Sequence, residues 1–224
     1  MKAGTTYLYN CIVKHPNITP NKFRKECHFW DRYFNRGYKW YESLFPEGKI
    51  TGEISGYVWH PFIAYEIKRH YPNALILIMM RNPIDRAYSH YWHNRNPDKK
   101  RYPKWMTFEN AIAREMKIKS YLHYGFNNAY PLIGKGIYAN YVPIWKSLFN
   151  TVCIKAEEFF KNPQPTLNKI FQKLDVKPMK INVKGARKNP TAKHKPMNPK
   201  TRKKLKKFFE EPNKLLKKMC GITW

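Results

Sequence analysis

The sequence predicts an α/β fold of three layers, a mostly parallel central sheet flanked by helices. Ala74-Leu75-Ile76-Leu77-Ile78-Met79-Met80 is apolar without interruption, as a strand covered on both faces must be. Short runs of this kind alternate with segments whose apolar residues recur every three or four positions, the pattern of a parallel sheet with helical crossovers. Lys2-Ala3-Gly4-Thr5-Thr6 leads straight into such a helical segment, so a glycine-bearing turn stands where a helix N-terminus can receive an anion. At 224 residues, with no internal repeat, the chain is expected to form a single domain over residues 1–224.

The elements follow in order. Thr5 to His15 places Leu8, Ile12, Tyr9 and Val13 at helical spacing and is stopped by Pro16. A polar loop leads to Cys27-His28-Phe29-Trp30, expected as a short buried strand. Tyr38 to Phe45 reads as a short aromatic helix closed by Pro46 and Gly48, and Ile50 to Ile54 as a strand. Pro61 opens a helix to His70, because a first-turn proline loses no hydrogen bond. After the Ala74–Met80 strand, Pro83 starts a helix to about Asn94. A polar, aromatic-spotted stretch resembling an insert follows, with a helix at Phe108 to Ile118. Tyr138 to Phe149 is expected as one helix, Val152 to Ile154 as a strand, and Pro165 to Leu174 as a helix with Leu167, Ile170, Phe171 and Leu174 on one face. Residues 181–199 read as a Lys-, Pro- and Asn-rich loop, ahead of two basic helices at Pro199 to Phe209 and Asn213 to Met219.

Composition narrows the classes of function. Forty-three Lys and Arg against fifteen Asp and Glu give a formal charge of +28, a field that draws in anions such as a nucleotide, an anionic glycan, a nucleic acid or a membrane surface. Residues 177–224 hold sixteen of the basic residues against two Glu, half of the excess in the last fifth of the chain. A solvated helical face accounts for such lysines equally well. A hydrophobic content of 42% and an aromatic content of 16% exclude a disordered polymer. Cys11, Cys27, Cys153 and Cys220 form no Cys-x-x-Cys pair, which argues against zinc and for reduced thiols. No apolar run approaches the roughly 18 residues of a membrane span. The chain opens on its turn with no signal peptide, so it reads as cytoplasmic as it stands. An anchor lost from ahead of Met1 would place it in the Golgi lumen.

Two anion motifs stand out. Gly4 lets backbone approach a ligand closely, and Lys2 with the hydroxyls of Thr5 and Thr6 completes a cradle at the helix N-terminus. Five such residues also arise by chance in a Lys-rich chain. The second motif is Arg81-Asn82-Pro83-Ile84-Asp85-Arg86-Ala87-Tyr88-Ser89, at the carboxyl end of the best strand, where open α/β sheets bind ligands. Arg81 and Ser89 can converge on one phosphate. Asp85 reads as a first-turn carboxylate complementing the helix dipole.

Together these blocks resemble the PAPS-dependent sulfotransferase family, whose Lys-x-Gly-Thr-Thr loop binds the 5′-phosphosulfate and whose Arg, followed eight residues later by Ser, binds the 3′-phosphate. The resemblance extends over most of the chain and points to the heparan-sulfate (N- and 3-O-) type and its bacterial relatives. Glu26-Cys27-His28-Phe29-Trp30 and the ending from Glu211-Pro212-Asn213-Lys214 to Trp224 share in it. It implies a P-loop-like fold, PAPS as donor and PAP as product, no metal, and donor contacts from Lys2, Ala3, Gly4, Thr5, Thr6, Arg81 and Ser89. It also implies a strand ahead of the Lys2 turn, which this sequence lacks.

In Gly52-Glu53-Ile54-Ser55 the resemblance assigns Glu53 as general base. The family often has Lys where Ile54 stands, and an ion-paired or solvent-facing Glu remains the alternative. His93 matches a histidine of the N-sulfotransferase branch and is assigned to proton transfer or acceptor contact, a structural helix histidine being the other reading. Lys193-His194-Lys195-Pro196 falls where the family closes a Lys-Gly-Arg type segment over the donor. Lys193 or Lys195 is expected to neutralise sulfonate oxygens there, or to belong to a generic basic loop. Lys2 is expected to stabilise the departing phosphate oxygen. The acceptor is expected to be anionic or sugar-bearing, first of all a glycan.

Two rivals predict other features. A P-loop kinase needs Walker A order and a magnesium-binding acid on a strand, and neither is present. A basic polyanion-binding protein without activity, such as a nucleic-acid binder, explains the lysines but not the Arg81 to Ser89 interval. No specific nucleic acid is therefore expected as partner.

Overall fold

The structure is a computed structural model that describes residues 2–95, 102–103, 105–118, 131–186 and 194–224. The chain forms two compact units, one of residues 1–3, 80–143 and 191–224 and the other of residues 4–79 and 144–190.

The 4–79/144–190 unit opens on helix α1 (Thr5–Ile12), which buries Tyr7, Leu8 and Cys11. The Tyr7 ring meets Phe159 edge-on at 5.1 Å. The helix ends three residues before His15, because the residues ahead of Pro16 are biased away from helical backbone. His15 is buried instead, its Nδ1 accepting from the Asn17 amide at 3.2 Å and its Nε2 donating to the Lys177 carbonyl at 3.0 Å. Strand β1 (Ile18–Pro20) lies parallel to β2 (Ile50–Gly52), with Ile18 opposite Ile50. β1 was hidden in the sequence by its three-residue length.

The strand expected over Cys27–Trp30 is not formed. His28 has a left-handed backbone, φ 55, and a π-helical turn covers Phe29–Tyr33, closed by the Tyr33 amide on the His28 carbonyl at 3.1 Å. The wide turn lays Phe29 flat on Tyr41, ring centroids 4.4 Å apart and planes 14° apart, which a straight strand would not do. Helix α2 (Gly37–Ser43) supplies Tyr41, and α3 (Pro61–His70) buries Ile63, Ala64 and Ile67.

Strand β3 (Ile76–Met80) pairs with β4 (Thr151–Lys155). Among the described residues the strands thus form two separate two-stranded sheets. Helix α8 (Gln164–Lys173) buries Leu167, Ile170 and Phe171 completely; Leu174 is its C-cap. Helices α4 (Pro83–Asn94), α5 (Phe108–Lys117), α6 (Val142–Leu148) and α7 (Ala156–Lys161) complete the elements up to α8. The single helix expected from Tyr138 to Phe149 is divided into a 3-10 turn at Tyr138–Asn140 and α6, because Pro143 has no N–H to carry the earlier turn onward.

In the other unit, α4 and α5 pack with Ile133, Met197, Leu205 and Phe209 in one apolar cluster. The two helices expected at the C-terminal end are one, α9 (Pro199–Cys220), running through Pro212. An internal proline costs about 3 kcal/mol. Leu205, Phe209 and Leu216, all buried along one face of α9, offset it.

Glu115 of α5 is buried and accepts from the amides of Leu132 at 2.6 Å, Ile133 at 3.0 Å and Gly134 at 2.8 Å. Arg86 donates to the Leu132 carbonyl from α4. Removing the carboxylate leaves three buried donors unsatisfied. Glu115→Ala is therefore expected to destabilise the protein by about 3 kcal/mol or more, read as a lowered urea midpoint.

Candidate active site

The Lys2–Thr6 turn is shaped by the backbone of Gly4. Its φ of 93 lies in the left-handed region, and a Cβ there would stand 2.4 Å from the Phe160 ring, so conformation and space both demand glycine. The Gly4 carbonyl accepts from the amides of Tyr7 at 2.9 Å and Leu8 at 3.3 Å. The amides of Thr5 and Thr6 precede the first intrahelical bonds, where a helix concentrates unpaired N–H groups and partial positive charge. Both threonines are partly exposed.

In the unit that holds Lys2 and α4, Arg81 leaves β3 with its backbone pinned. Its amide donates to the Tyr138 hydroxyl oxygen at 3.2 Å, and that hydroxyl donates to the Arg81 carbonyl at 2.9 Å. Arg81 Nη1 reaches the Lys2 carbonyl at 3.4 Å, and Lys2 Nζ lies 3.5 Å from His93 Nδ1. Residues from two distant parts of the sequence, Lys2 and the Arg81–His93 segment, are thus drawn together. Lys2 itself has a left-handed backbone, φ 63, uncommon for a residue with a side chain.

Helix α4 presents this group because Asn82 caps it, Oδ1 accepting from the Ile84 amide at 3.0 Å and the Asp85 amide at 3.3 Å, with Pro83 in the first turn. Ser89 and His93, one turn apart, are partly exposed, whereas Arg86, His90 and Asn94 are buried. Burial, with Arg86 and Lys135 nearby, holds His90 well below the ordinary histidine pKa and so neutral. Asp85 ion-pairs with Arg202 at 2.6 Å from the first turn of α4. His194 stacks flat on Trp92, 4.5 Å between centroids, and is pushed down in pKa by burial and by the charge of Lys2. The Lys195 carbonyl accepts from the Tyr88 hydroxyl at 2.6 Å. Lys193 lies outside the described residues.

Glu53 follows β2 in the other unit and is held by four donors. Tyr41 Oη donates to Oε1 at 2.8 Å, Ser55 Oγ to Oε2 at 2.5 Å, the Cys27 amide to Oε2 at 3.1 Å, and Tyr57 Oη to Oε1 at 3.3 Å. Burial raises its carboxyl above the ordinary range, and the hydrogen bonds from Ser55, Tyr41, Cys27 and Tyr57 pull it only partly back. Burial, and after it the same carboxylate, pushes the Tyr41 and Tyr57 hydroxyls upward, and burial followed by Glu53 raises the Cys27 thiol to about 12. Both phenols stay protonated donors. Glu53 is in no ion pair among the described residues, and its partners fix the carboxylate without neutralising it.

Sequence reasoning missed Tyr41, Tyr57, Tyr138 and His194. Only His194 carried a signal, through its place between Lys193 and Lys195. No group of three His, Cys, Asp or Glu side chains gathers to hold a metal among the described residues.

No protein-family model matches the chain. It is 30% identical over 130 residues, 53% of its length, to a membrane-associated sulfotransferase of Dictyostelium discoideum. It is 34% identical over 97 residues, 40% of its length, to the human heparan sulfate glucosamine 3-O-sulfotransferase 6. The crystal structure of a sulfotransferase from Alicyclobacillus acidocaldarius superposes with a TM-score of 0.79 at 26% identity, over 100% of this chain and 93% of that one. This chain is a relative of the sulfotransferases. It has their P-loop-like α/β fold, as the superposition over its whole length requires. It spans 27% of the length of each of the two curated sulfotransferases.

Proposed function

We propose that this sulfotransferase relative transfers a sulfuryl group from PAPS to a hydroxyl or amine of a glycan, releasing PAP. The observation that carries the reading is the gathering of Lys2, Arg81 and His93, Arg81 Nη1 on the Lys2 carbonyl and Lys2 Nζ beside His93 Nδ1, since two cations and an imidazole in one place suit a polyanionic ligand. The amides at the start of α1 and the hydroxyls of Thr5 and Thr6 hold the 5′-phosphosulfate, beside the backbone of Ala3 and Gly4. Arg81 and Ser89 hold the 3′-phosphate. Lys195, with Lys193, belongs to the segment that covers the donor.

Glu53 takes the acceptor's proton as the acceptor's oxygen or nitrogen forms its bond to sulfur. The bond from sulfur to the 5′-phosphate oxygen breaks, its electron pair stays on that oxygen, and Lys2 stabilises the charge. His93, in reach of Lys2, orients that ammonium or touches the acceptor. A glycan acceptor is supported by the name of the human relative and by the positive charge of +28, which attracts anionic chains.

Thermal shift with PAP, ATP and duplex DNA tests the class: PAP should raise Tm, and stabilisation by DNA without PAP would leave the polyanion-binding reading in its place. Arg81→Ala should weaken PAP binding by about 1.5–3 kcal/mol, roughly 10- to 100-fold in Kd by calorimetry. An unchanged Kd would remove Arg81 from the 3′-phosphate site.

A further inference from the structure

The donor reading leaves the basic C-terminal helix unexplained. Lys203, Lys206, Lys207 and Lys217 stand exposed on α9, opposite its buried Leu205, Phe209 and Leu216. None of these four is ion-paired among the described residues, whereas Lys214 between them is engaged by Glu210 at 3.2 Å and Glu211 at 2.7 Å. At 1.5 Å per residue the row from Lys203 to Lys217 extends over roughly 21 Å.

The helix ends at Gly221, whose φ of 69 and amide bond to the Lys217 carbonyl at 2.8 Å reverse the chain. Ile222 is buried as an anchor, and Trp224 comes back beside the lysines with its ring 5.8 Å from Tyr138. The result is a cavity of about 490 Å³ walled by the lysines, Asn213, Thr223, the Trp224 indole and one carboxylate, Glu210, whose charge is met by Lys214.

We infer that this cavity is a second binding site, for an anionic oligosaccharide segment. Ammonium groups are compact, rotatable charges that meet sulfates and carboxylates in varied positions. Asn213 and Thr223 offer hydrogen bonds to sugar hydroxyls, and the indole offers a flat apolar face for a sugar ring. The phosphates of a nucleic acid would meet the same lysines, so it is the proposed glycan acceptor that favours a glycan here, with duplex DNA as the competing occupant. The inference rests on the proposed glycan acceptor: α9 grips the chain at sugars other than the one being sulfated.

The probe is a sulfated heparin octasaccharide, titrated into the whole protein by fluorescence anisotropy. A triple Lys203→Gln, Lys207→Gln, Lys217→Gln variant should raise its Kd by about tenfold or more and flatten its salt dependence, and Trp224→Ala should raise it about threefold or more. Removing equal charge through Lys161→Gln, Lys169→Gln and Lys173→Gln should change Kd less than about twofold. An equal loss in this control, or binding of a duplex DNA at the octasaccharide's affinity and lost in the same α9 variant, would overturn the site. The PAP-induced Tm shift should be the same in all variants. Absence of any PAP shift in the wild-type protein would instead sink the sulfotransferase reading, leaving octasaccharide binding at α9 to be judged by its own variants.

Discussion

Glu53→Gln is expected to lower turnover by about 10²- to 10⁴-fold while leaving PAP affinity within about twofold. The amide keeps the size of the side chain, and with its one acceptor oxygen at the Oε2 position it still accepts from Ser55 and the Cys27 amide, while the Tyr41 and Tyr57 hydroxyls turn to accept from its NH2. What it loses is the ability to take a proton. The raised carboxyl pKa makes Glu53 a stronger base than an exposed glutamate, and the base acts only when ionised. The rate should therefore rise with pH through a limb lying above the ordinary carboxylate range. Ser55 donates to the ionised form and holds the pKa down, so Ser55→Ala should move that limb further up. A pH–rate profile on both variants checks this. Retained turnover in Glu53→Gln would assign the proton to another group.

Gly4→Ala is expected to reduce PAP affinity by about 100-fold. Left-handed backbone costs a residue with a side chain about 1–2 kcal/mol, and forcing a methyl group into packed space costs about 1–3 kcal/mol more. Here the methyl carbon would stand 2.4 Å from Cε1 and Cζ of Phe160, so either that ring or the turn must move. The amides of Thr5 and Thr6 would move with the turn. Combining Gly4→Ala with Phe160→Leu separates the two costs, because the smaller side chain relieves the clash and leaves the φ requirement of 93 in place. Partial recovery of PAP binding in the double variant is the expected outcome. Wild-type affinity in Gly4→Ala would show that the donor does not use this turn.

Much of the frame was readable along the chain. The bounds of α3 and α4 coincide with expectation because Pro61 and Pro83 restrict the backbone at a first turn and the apolar period then runs without interruption. β3 was readable from a continuous apolar run, and the Lys2–Thr6 turn from a glycine ahead of a helix. These signals act within a few residues and need no distant partner. Where distant surfaces decide, local reading failed: aromatic stacking on Tyr41 turned Cys27–Trp30 away from a strand, and burial of Leu205, Phe209 and Leu216 carried α9 through Pro212.

The same division runs through the site. By itself the sequence determined which residues are candidates for the chemistry: Lys2, Gly4, Arg81, Ser89 and, through the family resemblance, Glu53, each at a turn, a strand exit or a helix face. Only the tertiary structure decided their state. It set Lys2 against His93, fixed the Arg81 backbone on Tyr138, and surrounded Glu53 with Tyr41, Ser55, Tyr57 and the Cys27 amide. Hydrogen-bond partners and desolvation come from whichever surfaces packing brings together, and residue spacing holds no record of them.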